Sequence, residues 1–89
     1  YCRAVEEIDG YLPKIINQLD DEDILIVSAD HGCDPTFKGT DHTREYVPLL
    51  WFSKSEPSNS LGVREQFCDV TQTLCTRFGL TGYRNGIGF

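Results

Sequence analysis

Basic residues are scarce in this chain: eight Lys and Arg stand against fourteen Asp and Glu, a formal charge of −6 at pH 7. Nucleic-acid binding draws on Lys and Arg that neutralise phosphates, so nucleic acid is excluded as an expected partner. No polybasic segment is present to hold an anionic membrane surface. Long hydrophobic runs are missing as well. Ile24–Val27 is typical of the longest, far short of the roughly 20 residues that span a bilayer. No signal-peptide pattern opens the chain, and its start at Tyr1 rather than Met creates the expectation that further residues precede it. Cys2, Cys33, Cys68 and Cys75 form no Cys-x-x-Cys pair, and no Asn-x-Ser/Thr acceptor occurs. Reduced thiols and a cytoplasmic location are therefore expected. A Gly-x-Ser-x-Gly elbow, a P-loop, a dinucleotide fingerprint and internal repeats are all lacking.

With 89 residues, the chain suits one small domain or a piece of a larger one, and its core is modest. Between Arg3 and Leu19 the apolar residues Val5, Ile8, Leu12, Ile15, Ile16 and Leu19 step by threes and fours, which predicts an amphipathic helix. Gly10 and Pro13 predict a kink or short break in it. The acidic run Asp20–Asp23 predicts a solvated turn. Ile24–Ala29 is apolar, β-branched and does not alternate, which indicates a strand buried on both faces, as in a parallel sheet covered by helices. Helix followed at once by buried strand reads as the second half of a βαβ unit whose first strand lies outside the chain, a truncated α/β fold. A long polar loop (33–46) leads to a second strand at Val47–Phe52. A Ser- and Pro-rich connection follows. Phe67, Val70, Leu74 and Phe78 then predict a closing helix that stops at Gly79, with Asp69 as its N-cap. The tail from Thr81 to Phe89 reads as irregular.

Both histidines of the chain sit within "SADHGCDPTFKGTDHTREYVP", Ser28 to Pro48. Ligands of open α/β sheets bind where loops leave the carboxyl ends of strands, and Asp30 and His31 stand at such an edge. A carboxylate oxygen with an imidazole nitrogen suits Zn, Mn or Fe better than Mg or Ca. Gly32 is expected to turn the backbone sharply, and the loop can fold back to bring His42 to the same place. The competing reading makes each Asp-His pair an ordinary polar turn. Asp34 before Pro35 reads as turn chemistry. Asp41 is either solvated or orients a neighbouring histidine. Thr43, Arg44 and Glu45 are open to a phosphate or to one another. Cys33 with His31 and His42 lacks the close cysteine pairs and fourth ligand of a structural zinc module. Cys68 and Cys75 read as small core residues.

The string "ADHGCDPTFKGTDHTREYVPLL", Ala29 to Leu50, resembles the C-terminal metal loop of the phosphopentomutase family, within the alkaline phosphatase superfamily. The flanking "YCRAVEEIDGYLPKIINQL" and "REQFCDVTQTLCTRFGL" are similar to the last helices of that family. Asp-His-Gly is shared across the superfamily, whereas "GTDHTREYVP" is more particular. The resemblance implies an alkaline-phosphatase-like core in the order helix, strand, metal loop, strand, helix. Residues 1–89 are then the C-terminal part of its catalytic domain, with the rest of the core and the cap domain upstream. It further implies an isomerase of nucleoside and pentose phosphate metabolism, interconverting ribose or deoxyribose 1-phosphate and 5-phosphate. Such enzymes use two Mn2+ ions and a metal-bound phosphothreonine. By position, Asp30 and His31 bind one ion and His42 the other. The nucleophile and remaining ligands fall upstream of Tyr1, so no catalytic residue is assigned here and the 89 residues alone are expected to be inactive and to bind Mn2+ weakly. The expected partners are small pentose phosphates; the oligomeric state stays open. The alternatives are another enzyme of the superfamily, such as a cofactor-independent phosphoglycerate mutase, and a non-catalytic interaction module.

Overall fold

The computed structural model describes all 89 residues, in the order α1 (Cys2–Ile16), β1 (Leu25–Ser28), β2 (Leu49–Phe52) and α2 (Cys68–Arg77). Residues 1–58 form one unit and residues 59–89 a second. The α/β order of elements is the one expected from the sequence; several details differ.

α1 runs unbroken through Gly10 and Pro13, in place of the expected break. Pro13 lacks the N–H that would bond the Asp9 carbonyl. That stretch of helix is exposed, so water can serve the carbonyl and the interruption stays local. Past Asn17 the helix tightens, with Gln18 N–H donating to Ile15 (2.9 Å) and Leu19 N–H to Ile16 (3.2 Å). The acidic run closes as a turn: Asp20 N–H donates to the Asp23 carboxylate at 2.7 Å, and Asp23 N–H returns to the Asp20 carbonyl at 3.1 Å. The Lys54 ammonium, just past β2, donates to the Leu19 carbonyl and ties the end of the second strand to this turn.

β1 and β2 pair antiparallel, Leu25 opposite Phe52 and Ser28 opposite Leu49. The expectation that β1 is buried on both faces is corrected, since it is only half-buried in this chain. The parallel partner expected for it is a strand outside these 89 residues, and the neighbour found here is β2. A parallel partner requires a crossover, usually helical, to carry the chain back to the same end. The connection from β1 to β2 contains no helix and returns at the edge it left. Most of the two strands is half-buried, with Ser28 and Leu50 exposed. No hydrophobic side chain is fully buried anywhere in the chain, and no helix is long and apolar enough to cross a membrane.

In the second unit, Asp69 does not cap α2. Phe67 occupies that position, and Asp69 lies in the first turn with its carboxylate accepting the Ile87 N–H at 2.7 Å. The Thr73 hydroxyl donates to the Asp69 carbonyl (3.0 Å) and accepts the Phe89 N–H (2.9 Å). The tail has no regular structure, as expected, yet it is fastened to α2. These tail donors draw the polar face inward: Asp69 and Thr73 are buried, while Phe67 and Phe78, two of the apolar residues whose spacing predicted the helix, are exposed. The Arg64 guanidinium lies 4.9 Å from the centroid of the Phe89 ring. α2 does stop where Gly79 predicted. Gly79 adopts φ 64°, with Gly79 N–H bonded to Thr76 (3.2 Å) and Leu80 N–H to Cys75 (2.8 Å), the paired bonds of a Schellman ending. All four cysteines are free, Cys68 and Cys75 half-buried and Cys2 and Cys33 exposed.

Candidate metal centre

The loop between the strands folds back on itself just beyond β1. Gly32 and Thr43 form an isolated antiparallel bridge, with Gly32 N–H donating to the Thr43 carbonyl at 3.0 Å and Thr43 N–H to the Gly32 carbonyl at 3.3 Å. Side chains alternate across an extended strand. His31 and His42, each one residue before a bridged residue, therefore leave the bridge on a common face. Their rings stack with centroids 3.7 Å apart and planes inclined by 16°.

Gly32 is not the sharp turn expected of it. Its φ lies outside the left-handed region, and it is the only glycine of the loop that is buried. Closeness is the constraint there: a Cβ at this position would stand 2.7 Å from the Glu45 nitrogen and 2.8 Å from the Thr43 carbonyl oxygen. The neighbours that fill this space arrive from the far end of the loop, so no local pattern around Gly32 marks it.

His31 Nδ1 lies 2.8 Å from the Gly32 carbonyl oxygen. A carbonyl only accepts, so Nδ1 carries the proton in this bond, and in the neutral ring the lone pair lies on Nε2. That nitrogen is 3.5 Å from Asp30 Oδ1. Two ligands each about 2.1 Å from one ion, at a near-tetrahedral angle, leave a gap of about that size between them. A histidine whose second nitrogen bonds a backbone carbonyl is also the usual state of a metal ligand. On donor chemistry and separation, Asp30 and His31 fit a shared cation. The lone pairs of stacked imidazoles lie in nearly parallel ring planes, which suits neighbouring ions better than a single one. The chain does not gather three or more His, Cys, Asp or Glu side chains into one metal-holding group.

Asp34 is used otherwise. Its carboxylate accepts the Thr36 hydroxyl at 2.7 Å and the Thr36 N–H at 2.8 Å. These bonds favour the charged form and hold its pKa below the ordinary value of 3.8, the hydroxyl contributing most. The Asp34 N–H donates to the Thr43 hydroxyl oxygen at 2.8 Å, and Phe37 N–H closes the turn onto the Asp34 carbonyl at 3.1 Å. The turn reading of Asp34-Pro35 is therefore what the structure shows. Cys33, Asp41, Arg44 and Glu45 are exposed. Thr43, which the sequence left open between phosphate contact and its neighbours, bonds Gly32 and Asp34 and holds the loop together. A threonine directly after the second histidine, matching a glycine directly after the first, was the available signal.

A model of the metalloenzyme superfamily matches residues 1–82. The chain belongs to the metalloenzyme superfamily. Among curated relatives of this superfamily chain, it is 48% identical over all 89 residues to a phosphopentomutase of Aliivibrio salmonicida and equally to one of Pseudoalteromonas translucida. It is 49% identical over 90 aligned positions to a phosphopentomutase of Desulfitobacterium hafniense. The chain spans 22% of the length of the first two relatives and 23% of the third. The likeness to phosphopentomutases thus extends along the whole chain, and the superfamily's fold is the alkaline-phosphatase-like α/β fold to which these elements belong.

Proposed function

We propose that this chain is the metal-loop segment in the catalytic core of a phosphopentomutase, an isomerase shifting phosphate between the 1- and 5-positions of ribose or deoxyribose. The observation that carries the reading is the stacked His31–His42 pair, with Asp30 on His31, in a chain similar to phosphopentomutases from end to end. Asp30 and His31 would hold one divalent cation and His42 a second, with Mn2+ suiting the mixed oxygen and nitrogen donors. Two such cations neutralise a transferring phosphoryl group and keep attacking and leaving oxygens in line.

The chain's own contribution is to present the donors. The Gly32 carbonyl fixes the tautomer of His31, leaving Nε2 free to bind. Asp30 brings a full negative charge to the same edge, while Asp34 is withheld by Thr36. In this reading the phosphothreonine, the other ligands and the cap domain belong to the rest of the full-length protein, which acts on small phosphosugars in the cytoplasm.

The test is His42→Ala in the full-length enzyme, assayed for ribose 1-phosphate turnover. A metal ion supplies several kcal/mol of transition-state stabilisation and each ~1.4 kcal/mol is tenfold, so kcat/KM should fall about 100-fold or more with the circular dichroism spectrum unchanged. Retained activity would sink the assignment of His42. Turnover of phosphoglycerate in place of pentose phosphates would replace the reaction with that of another superfamily member.

A further inference from the structure

We infer that Thr43 is a positioning residue: it fastens the two ends of the loop so that His31 and His42 stand ring to ring at the spacing a pair of cations needs. The inference rests on the reading of Asp30, His31 and His42 as metal ligands and adds to it a residue whose bonds run to the backbone of the loop.

Three bonds cross the loop to this one residue. Its N–H and carbonyl bond Gly32 at 3.3 and 3.0 Å, and its hydroxyl oxygen accepts the Asp34 N–H at 2.8 Å. Gly32 and Asp34 bracket Cys33, so Thr43 grips the outgoing segment on both sides of a single residue. Gly32 directly follows His31, and Thr43 directly follows His42. Whatever fixes the distance between Gly32 and Thr43 therefore fixes where the two rings begin. That distance is short enough to exclude any Cβ from position 32.

The orientation of His31 depends on the same clasp. The Gly32 carbonyl accepts two donors, the Thr43 N–H at 3.3 Å and His31 Nδ1–H at 2.8 Å, which uses both of its lone pairs. If Thr43 shifts, the carbonyl that sets the His31 ring shifts with it. The hydroxyl bond to Asp34 is the one bond made by the Thr43 side chain, and it can be removed without altering side-chain shape.

The experiment titrates the full-length protein with MnCl2 by calorimetry and records the electron paramagnetic resonance spectrum of the loaded protein. Thr43→Val keeps the β-branched shape and deletes the acceptor; Thr43→Ser keeps the acceptor. Loss of a group that orients a metal ligand typically costs 10–100-fold in metal affinity. Thr43→Val should therefore bind Mn2+ about 10–100-fold more weakly and lose the spin-coupled signal of a close manganese pair. Thr43→Ser should retain both. Metal-free melting curves of both variants, run in chelator, should match the parent's, which separates this role from a general loss of fold. Parental affinity and coupling in Thr43→Val would overturn the inference, as would equal weakening in Thr43→Ser. His42→Ala, run alongside, tells the two levels apart. If it weakens Mn2+ binding while Thr43→Val does not, only the positioning role fails. If it leaves binding intact, the ligand assignment fails and this inference fails with it.

Discussion

Asp30 and Asp34 share a residue type and a loop but not a role. Asp34 spends its carboxylate on Thr36, and the hydroxyl bond, the larger of the two causes, depresses its pKa. A depressed carboxyl stabilises the fold above its ordinary value of 3.8 and loses that contribution as pH falls through the lower folded value. A carbon-detected NMR titration should accordingly place the Asp34 midpoint below 3.8, and Thr36→Val should move it upward. An unmoved midpoint in Thr36→Val would assign the depression to something other than the hydroxyl. The Asp34 turn was legible because its causes are local: Asp before Pro, with Thr two positions on. Gly32 was legible only as a glycine. Conformational freedom is what glycine signals in a sequence, whereas this one is required by the approach of Thr43 and Glu45, which no neighbouring residue announces.

Element by element, the same division between local and distant causes recurs. Periodicity located both helices, and Gly79 marked the end of α2 through its own left-handed backbone. Which face of α2 turns inward was not legible. It is decided by Ile87 and Phe89, whose N–H groups arrive from a tail without pattern and select Asp69 and Thr73. Asp69→Ala should therefore free the Ile87 amide. Its hydrogen exchange should quicken, and the second unit should lose about 1.5–3 kcal/mol, the range for a hydrogen bond to a charged group. Unchanged protection at Ile87 would show that the tail is held by other contacts. Strand direction was also hidden. The apolar run at Ile24–Ala29 encodes a wish for cover on both faces and is silent on which neighbour pairs with it, and the nearest partner in this chain is the antiparallel β2.

At the scale of the whole chain, the apolar stripe of α1 was legible and its covering was not. Val5, Ile8 and Ile15 keep the helical spacing read from the sequence, yet all are exposed, and no hydrophobic side chain of the chain is buried. Hydrophobic burial is the main favourable term in folding, so the 89 residues taken by themselves should melt over a broad range and brighten the dye ANS, as states with exposed apolar surface do. A sharp calorimetric transition without dye binding would contradict this. The clasp between Gly32 and Thr43 has one more consequence, for how such a loop changes over generations. With its ends fastened and the turn at Asp34 closed by Thr36 and Phe37, the stretch 38–40 beyond that turn is released from any duty to hold the histidines. Closing a longer loop is cheap, about 0.6 kcal/mol for each doubling. Insertions and substitutions can accumulate at that tip while the two rings stay in place, so lineages can diverge there without surrendering the geometry beneath it.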